Sequence, residues 1–183
     1  MRITAGALRG RKLQVPDAPG LRPTPSKVRE ALFNILGDVQ GFRMLDLFAG
    51  SGIMALEALS RGAATAVSIE QNRRAAHAMD QLRTSLDMAE IWQIMPMSVE
   101  KGLSCLTEQS FDLVFADPPY EQGYAGALPA LLNRHAIHCS RLVIEESARV
   151  QLQWPAGWRC RQSRRYGDTI LHFLEPDTEE QLP

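Results

Sequence analysis

Four consecutive residues, Asp117-Pro118-Pro119-Tyr120, combine a carboxylate, two rigid backbone positions and an aromatic ring. A side-chain oxygen of Asp117 and the carbonyl of Pro118 can accept both N–H bonds of an amino group, which turns its delocalised lone pair toward an electrophile. Because the two prolines fix the backbone, both acceptors are preorganised. The ring of Tyr120 can stack on a base that has left its helix or loop. The tetrapeptide therefore indicates chemistry on an exocyclic amine of adenine, cytosine or guanine, whereas the simpler alternative is a strand-ending turn, where Asp and Pro are common.

A second candidate site is the glycine-containing segment Asp46-Leu47-Phe48-Ala49-Gly50-Ser51-Gly52, which follows an apolar run and precedes a helical pattern. Its glycines let the backbone approach a ligand closely. Glu70 ends the next apolar run at the distance of about 20 residues expected of a carboxylate that binds ribose hydroxyls. The third glycine of the dinucleotide fingerprint is missing, since Ala55 stands there, and no Walker lysine follows. The loop thus favours a cofactor with a charged amino-acid portion over one with a pyrophosphate.

Alternating apolar strands and amphipathic helices must position these residues. Because strands alternate with helices, we expect one doubly wound α/β domain with a mostly parallel sheet and right-handed crossovers. An antiparallel pair at 158–163 and 169–174 is expected to close the sheet edge. The predicted strands are 43–48, 66–70, 91–95, 111–116 and 141–145, and the predicted helices between them are 53–61, 73–86, 99–106 and 124–135.

The first part of the chain precedes this alternation. Residues 1–15 are predicted to form a small β-hairpin, and the proline-rich stretch 16–23 a linker. A helix should then begin with Thr24 as its N-cap and Pro25 at its first position, and end at Gly37. The expected organisation is a basic hairpin and linker over 1–23, the main domain over 24–175 and an acidic tail over 176–183.

Charge is distributed unevenly behind a net charge of −1. Basic residues dominate 1–29 and 159–165, and the last stretch is acidic. Basic segments suit a polyanionic partner because each phosphate contact releases counterions, although a solvated charged face is an equally good interpretation of any one cluster. The predicted RNA-binding residues of the first segment are Arg2, Arg9, Arg11, Lys12, Arg22, Lys27 and Arg29.

Length and composition indicate the size of the core, the cellular location and whether a metal is expected. The chain has 183 residues, which allow one core of ordinary size. Without an apolar run of about 20 residues or a signal-peptide pattern, we expect a cytoplasmic protein with no membrane association. The three cysteines have no zinc-ligand spacing, so no metal is expected.

These motifs together resemble the RsmD family. Asp46 to Gly52, Glu70 and Asp117 to Tyr120 look like the cofactor and catalytic motifs of amino-methyltransferases in which the cofactor motif comes first. More specific to the family are two stretches near the N-terminus, Arg2 to Arg11 and Arg22 to Asn34. The turn 166–169 also fits, so the resemblance covers residues 1 to about 174.

The resemblance implies a Rossmann-like class I methyltransferase fold and S-adenosyl-L-methionine as the methyl donor. It also implies methylation of N2 of guanine 966 in 16S ribosomal RNA, within the small subunit or an assembly intermediate, by a monomeric enzyme. The catalytic residues would be Asp117, Pro118, Pro119 and Tyr120. The third strand leads to Met97-Ser98, where the family usually has an acidic or amide residue for the adenine, and Ser98 accepts a weaker bond. The implied cofactor-binding residues are Asp46, Phe48, Ala49, Gly50, Ser51, Gly52, Glu70, Gln71, Met97, Ser98 and Asp117.

Two alternatives belong to other classes. A DNA methyltransferase acting on adenine N6 or cytosine N4 could use the same tetrapeptide, but the chain has no room for a domain that reads duplex sequence. A catalytically silent RNA-binding assembly factor could keep the fold, but an intact Asp117 and an intact glycine loop argue against it.

Overall fold

The computed structural model describes residues 1–13 and 24–177. The predicted linker 16–23, with Arg22, and residues 178–183 of the predicted acidic tail lie outside the described residues.

A seven-stranded mixed sheet forms the centre of the fold. Its strand order is β3-β2-β1-β4-β5-β7-β6, in which the first five strands are parallel and β7 runs antiparallel to both neighbours. The predicted parallel sheet and antiparallel C-terminal pair are both confirmed. Strand β5 is longer than predicted because β7 pairs with its residues 142–147. The strands are β1 (Arg43–Leu47), β2 (Thr65–Ile69), β3 (Trp92–Met95), β4 (Ser110–Ala116), β5 (His138–Ser147), β6 (Trp158–Tyr166) and β7 (Thr169–Pro176).

Within the described residues, five helices cover both faces of this sheet. One face packs against α1, α2 and α3 around Leu32, Leu56 and Met79, and the other packs against α4 and α5 around Leu103 and Leu128. The doubly wound arrangement predicted from the alternation is therefore present. Within the described ranges, no helix has the length and hydropathy that a membrane crossing requires. The helices are α1 (Ser26–Leu36), α2 (Ile53–Ser60), α3 (Arg73–Ser85), α4 (Val99–Cys105) and α5 (Tyr124–Arg134).

The beginning of α1 differs from the prediction by one residue. Pro25 is the N-cap, and Thr24 makes no capping bond. The Thr24 side chain is buried instead, and its hydroxyl donates to Glu145 Oε2 at 3.5 Å. The predicted end at Gly37 is confirmed, since this glycine has a φ of 76° and closes the helix with a bond to Phe33. The start of α1 is thus attached to the carboxyl end of β5.

The predicted N-terminal β-hairpin is wrong. Within residues 1–13, only one antiparallel bridge forms, between Arg2 and Lys12. The two ends of the segment still bond to each other, from Leu13 N to Met1 O at 2.8 Å and from Ile3 N to Arg11 O at 3.1 Å, but no strand forms. In the turn between them, the backbone N–H groups of Ala7 and Leu8 donate to Ser60 at 2.7 and 2.9 Å. A Cβ at Gly6 would lie 1.7 Å from the Ser60 carbonyl oxygen, so only glycine permits this approach. The turn of the segment is therefore attached to the end of α2.

Candidate active site

A cavity of about 860 Å³ opens at the carboxyl ends of the parallel strands. The chain leaves β1 toward β2 and β3 on one side and reaches β4 and β5 on the other, which makes the gap beside β1 the switch point of the sheet. Ligands of doubly wound sheets bind in this crevice. Its lining includes four carboxylate residues and two aromatic ones, namely Asp46, Glu70, Asp117, Glu145, Phe48 and Tyr120.

Glu70 shapes the glycine loop on one side of the cavity. Its Oε2 accepts from the backbone N–H of Gly50 at 2.8 Å, and its Oε1 accepts from that of Asn72 at 2.7 Å. A carboxylate oxygen can accept more than one bond, so each oxygen keeps capacity for a hydroxyl group. Phe48 and Gly50 have φ values of 58° and 56°, a left-handed conformation that is unusual for phenylalanine. The sequence therefore predicted both the loop and its acidic partner, and the structure joins them directly.

Asp46 lies beneath the same loop. Its Oδ2 accepts from the backbone N–H of Ala55 at 3.3 Å, at the start of α2. Burial raises the pKa of Asp46 well above its usual value, while the bond from Ala55 opposes this shift and the charge of Glu70 adds to it. A cationic ligand in the cavity would stabilise the ionised form of this carboxyl group.

Gly52 lies outside the cavity lining, and its requirement for glycine comes from packing. It has a φ of 72°, and a Cβ there would lie 2.6 Å from both Met79 Sδ and Trp92 Cζ2. Trp92 is fully buried and fixed by a 2.9 Å bond from its Nε1 to Ser68 Oγ. Gly52 thus permits the close contact of the loop with α3 and β3, whereas Gly50 faces the cavity.

The remaining predicted cofactor residues divide into two groups. Ala49, Ser51 and Gln71 line the cavity. Among the cavity residues of the described chain, Met97 and Ser98 are absent, and Val99 takes their place. Ser98 is the N-cap of α4, and its hydroxyl accepts from Lys101 N at 3.5 Å. Its side chain therefore has a structural partner that the sequence pattern did not indicate.

Asp117 follows β4 directly and lines the cavity with the rest of its tetrapeptide. Burial raises the pKa of this carboxyl group to about 8, and the charges of Glu145, Asp46 and Glu146 add to the shift. An acid in this state needs little change in its surroundings to gain or lose a proton near neutral pH. In either state it keeps an oxygen that can accept a hydrogen bond.

Tyr120 is fixed through its hydroxyl group. The phenol donates to Glu145 Oε1 at 2.6 Å and lies 3.0 Å from Thr169 Oγ1. Burial raises the pKa of Tyr120 above its usual value, and the bond to Glu145 adds to this shift. Strand β5 and the first residue of β7 thereby set the position of the ring.

Glu145 was not predicted as a site residue. It is 4% exposed, lines the cavity, and has a pKa that burial raises. A signal was available in the sequence, because Glu145 ends the predicted strand 141–145 and must lie at the same edge of the sheet as Asp117. Its neighbour Glu146 accepts from the backbone N–H groups of Glu121 and Ser147, which holds the loop after the tetrapeptide.

The predicted RNA-binding residues lie in different environments. Arg29 is 1% exposed and forms a 3.2 Å ion pair with Glu57, so the prediction that it contacts RNA is wrong. The segment 1–13 is attached at Ser60, at the end of α2 that lies about 10 Å from the cavity by the rise of a helix. The other predicted residues that the structure describes are exposed, namely Arg2, Arg9, Arg11, Lys12 and Lys27.

The second basic segment is partly neutralised. Arg159 pairs with Asp177 at 2.7 Å, and Arg161 pairs with Glu175 at 2.8 Å. The start of the predicted acidic tail therefore lies beside β6 and compensates its charge.

Comparison with known proteins identifies the family to which the chain belongs. The sequence model of a family described as "Conserved hypothetical protein 95" matches residues 1–175. "Ribosomal RNA small subunit methyltransferase D" of Escherichia coli strain K12 is 33% identical over 187 aligned positions, which cover 98% of this chain and 91% of that protein. The chain belongs to the RsmD family.

Solved structures agree with this membership of the RsmD family. One described as "Putative methyltransferase yhhF from Escherichia coli" has a TM-score of 0.86 and 32% identity, over 97% of this chain and 98% of that one. A more distant one, an RNA methyltransferase from Salinibacter ruber in complex with S-adenosyl-L-homocysteine, has a TM-score of 0.65 and 16% identity, over 88% of this chain and 97% of that one. The mixed sheet with its antiparallel seventh strand is thus the class I methyltransferase fold.

Proposed function

We propose that this protein transfers a methyl group from S-adenosyl-L-methionine to N2 of a guanine in 16S ribosomal RNA of the small subunit, at the position equivalent to guanine 966. The observation that carries the proposal is the placement of Asp117 and Tyr120 in one cavity with Glu70 and the glycine loop. Membership of the RsmD family and the name of the Escherichia coli relative, a ribosomal RNA methyltransferase, support the choice of RNA.

The residues of the cavity fit the methyl donor. Glu70 has free acceptor capacity for ribose hydroxyls, and Phe48 and Val99 supply apolar contact surface for a purine ring. Asp46, Asp117 and Glu145 place carboxyl groups around the centre of the cavity, where Arg149 is the one basic residue among its described lining residues. An acidic cavity suits the sulfonium cation, and the bound cofactor would supply an activated methyl group.

The chain itself would hold the base. Asp117 and the carbonyl of Pro118 accept the two N–H bonds of the guanine amino group, which turns its lone pair toward the methyl donor. Because both acceptors follow a buried strand, their positions are fixed before the substrate arrives, and such preorganisation is a major source of rate enhancement. Tyr120 supplies the stacking face for the extruded base. The amino proton leaves after transfer, and the Asp117 oxygen that holds it is an available acceptor.

The decisive experiment combines mapping with substitution. Small subunits from a strain that lacks the enzyme are incubated with a labelled methyl donor, in parallel with free 16S RNA, and the labelled base is mapped. Asp117→Ala should reduce turnover by at least about 100-fold, while binding of the donor, measured by calorimetry, largely survives. Asp117→Asn keeps a side-chain oxygen and should retain more activity than Asp117→Ala.

The control is Asp87→Asn, which removes an exposed carboxylate in a positive-φ turn outside the cavity. It should leave turnover unchanged. Label on an adenine or cytosine, or on duplex DNA supplied in a third reaction, would replace the proposal with the alternative methyltransferase. No label with either RNA substrate, despite tight binding, would favour a silent assembly factor.

A further inference from the structure

We infer that Glu145 selects guanine over other bases by accepting a hydrogen bond from its ring N1–H. This inference rests on the proposed function, since it names a specificity residue for N2 methylation. It gives a role to a buried carboxylate of the cavity beyond its bond to Tyr120.

A residue that contacts the ring nitrogen beside the amino group can distinguish guanine from adenine and cytosine. In guanine, the ring nitrogen N1 beside the 2-amino group carries a hydrogen. In adenine and cytosine, the ring nitrogen beside the amino group on the Watson–Crick edge carries a lone pair. A carboxylate at that position attracts guanine and repels the other two. A site built to bind an N–H group rejects analogues without it strongly, because its own buried acceptor is then left unpaired.

The sheet register places Glu145 next to Asp117. Ala116, the last residue of β4, pairs with Ile144 of β5 in parallel, so Asp117, directly after β4, is a neighbour of Glu145 on β5. Adjacent strands lie about 4.8 Å apart. After burial, the charge of Glu145 is the largest cause of the raised pKa of Asp117. A base whose amino group is held by Asp117 therefore presents its adjacent ring atom within reach of Glu145.

Glu145 also has acceptor capacity left. Its Oε1 accepts from Tyr120 at 2.6 Å, while its Oε2 has, among the described residues, only a long bond from Thr24, at 3.5 Å. Burial raises the pKa of this carboxyl group, while the bonds from Tyr120 and Thr24 act in the opposite direction and favour its ionised, acceptor form. The short bond to Tyr120 holds this carboxyl group at the rim of the ring on which the base would stack.

Other carboxylates of the cavity are less suited to this role. Glu70 lies on the cofactor side, where its oxygens accept from Gly50 of the glycine loop and from Asn72. Glu121 and Asp168 are exposed to solvent, where a hydrogen bond discriminates weakly. Glu145 combines burial, a fixed position and proximity to Asp117.

The test uses small subunits reconstituted from 16S RNA in which the target guanine is replaced by 2-aminopurine. This analogue keeps the 2-amino group but has a lone pair at N1. The wild-type enzyme should prefer guanine by at least about 100-fold in kcat/KM. This comparison needs no variant, so it does not depend on the folding of a mutant.

Two variants then test whether Glu145 causes the preference for guanine over 2-aminopurine. Glu145→Gln can donate to the N1 lone pair of 2-aminopurine, so the preference should fall at least 10-fold. Tyr120→Phe removes the bond to Glu145 Oε1 but leaves the carboxylate, so it should slow both substrates and keep most of the preference. A purely structural role of Glu145 would lower both rates equally.

The outcomes separate the two proposals. If the wild-type enzyme methylates guanine and 2-aminopurine at rates within 3-fold, or if Glu145→Gln keeps the wild-type preference, the assignment of Glu145 is wrong and the proposed function stands. If the guanine substrate itself receives no methyl group, the proposed function fails.

Discussion

Arg29 Nε lies 3.2 Å from Glu57 Oε1, and both side chains are buried, with exposed fractions of 1% and 0%. The other guanidinium nitrogens donate to the carbonyl oxygens of Thr24 and Arg2 at 2.5 and 2.7 Å. Glu57 also accepts from the backbone N–H and the hydroxyl of Thr4 at 2.9 and 2.8 Å. This pair joins α1, α2 and the first residues of the chain, so a residue expected to bind RNA stabilises the fold instead.

Arg29→Ala should lower the free energy of unfolding by about 3 kcal/mol, because the buried Glu57 carboxylate keeps only its longer ion pair with Arg61, at 3.6 Å. Urea unfolding followed by circular dichroism measures this loss. The matched control is Arg9→Ala, which removes an exposed arginine and should change the stability by less than about 0.5 kcal/mol. Equal effects of the two substitutions would contradict the structural role of Arg29.

Gly52→Ala should destabilise the protein through packing. Its control is Gly41→Ala, since Gly41 has a φ of 77° and no atom lies within 4 Å of the position that the new methyl group would take. Both substitutions impose a left-handed strain of about 1–2 kcal/mol. Gly52→Ala should lose about 1–3 kcal/mol more, because its methyl group would overlap Met79 and Trp92. Thermal unfolding of both variants tests this, and equal melting temperatures would refute the packing argument.

The strands and helices could be predicted because their hydrophobic patterns are local in the sequence. The role of Arg29 could not, because it depends on a partner that is distant in the sequence. Arg29 lies three, four and seven residues before Leu32, Phe33 and Leu36, which is the spacing of the buried face of α1. That spacing was a usable signal. Its partner Glu57 is 28 residues away in sequence, on a different helix, and no periodicity connects the two.

Asp117 and Glu70 could be predicted as site residues because each is a carboxylate at the end of a predicted strand. Glu145 was missed because its importance depends on Tyr120 and Thr169, which the fold brings to it from 25 and 24 residues away. The N-terminal hairpin failed as a prediction for a similar reason. The turn of this segment binds Ser60, a contact about 50 residues distant in the sequence that no local pattern indicates.

Asp117→Asn should stabilise the protein without ligand at pH 8 but not near pH 4. Burial raises the pKa of Asp117 to about 8 from an ordinary value of 3.8, so its carboxyl group stays protonated in the folded state where the unfolded chain has lost the proton. Between pH 4 and 8, this lowers the free energy of unfolding by up to about 1.4 kcal/mol per pH unit. Below pH 4 both states hold the proton and the penalty vanishes.

Asn has no proton to lose, so the difference in melting temperature between Asp117→Asn and wild type should grow steadily from pH 4 to pH 8. Differential scanning calorimetry at four pH values measures it. Addition of S-adenosyl-L-methionine should narrow the gap at pH 8, since a sulfonium cation stabilises the ionised Asp117 carboxylate. A gap that is independent of pH would show that Asp117 titrates normally in the folded protein.

The double substitution of Arg9 and Arg11 by alanine should weaken binding to 16S RNA and reduce its salt dependence. Both side chains are exposed, and each phosphate contact contributes about 0.7–0.9 to the slope of log K against log salt concentration. The slope should therefore fall by about 1.5, while turnover at saturating RNA stays unchanged because the segment is attached at Ser60, away from the cavity. Arg134→Ala, at the exposed end of α5 on the opposite face of the sheet, is the matched control and should leave the slope as it is. Filter binding at four salt concentrations measures each slope, and an unchanged slope in the double variant would remove the N-terminal segment from the RNA interface.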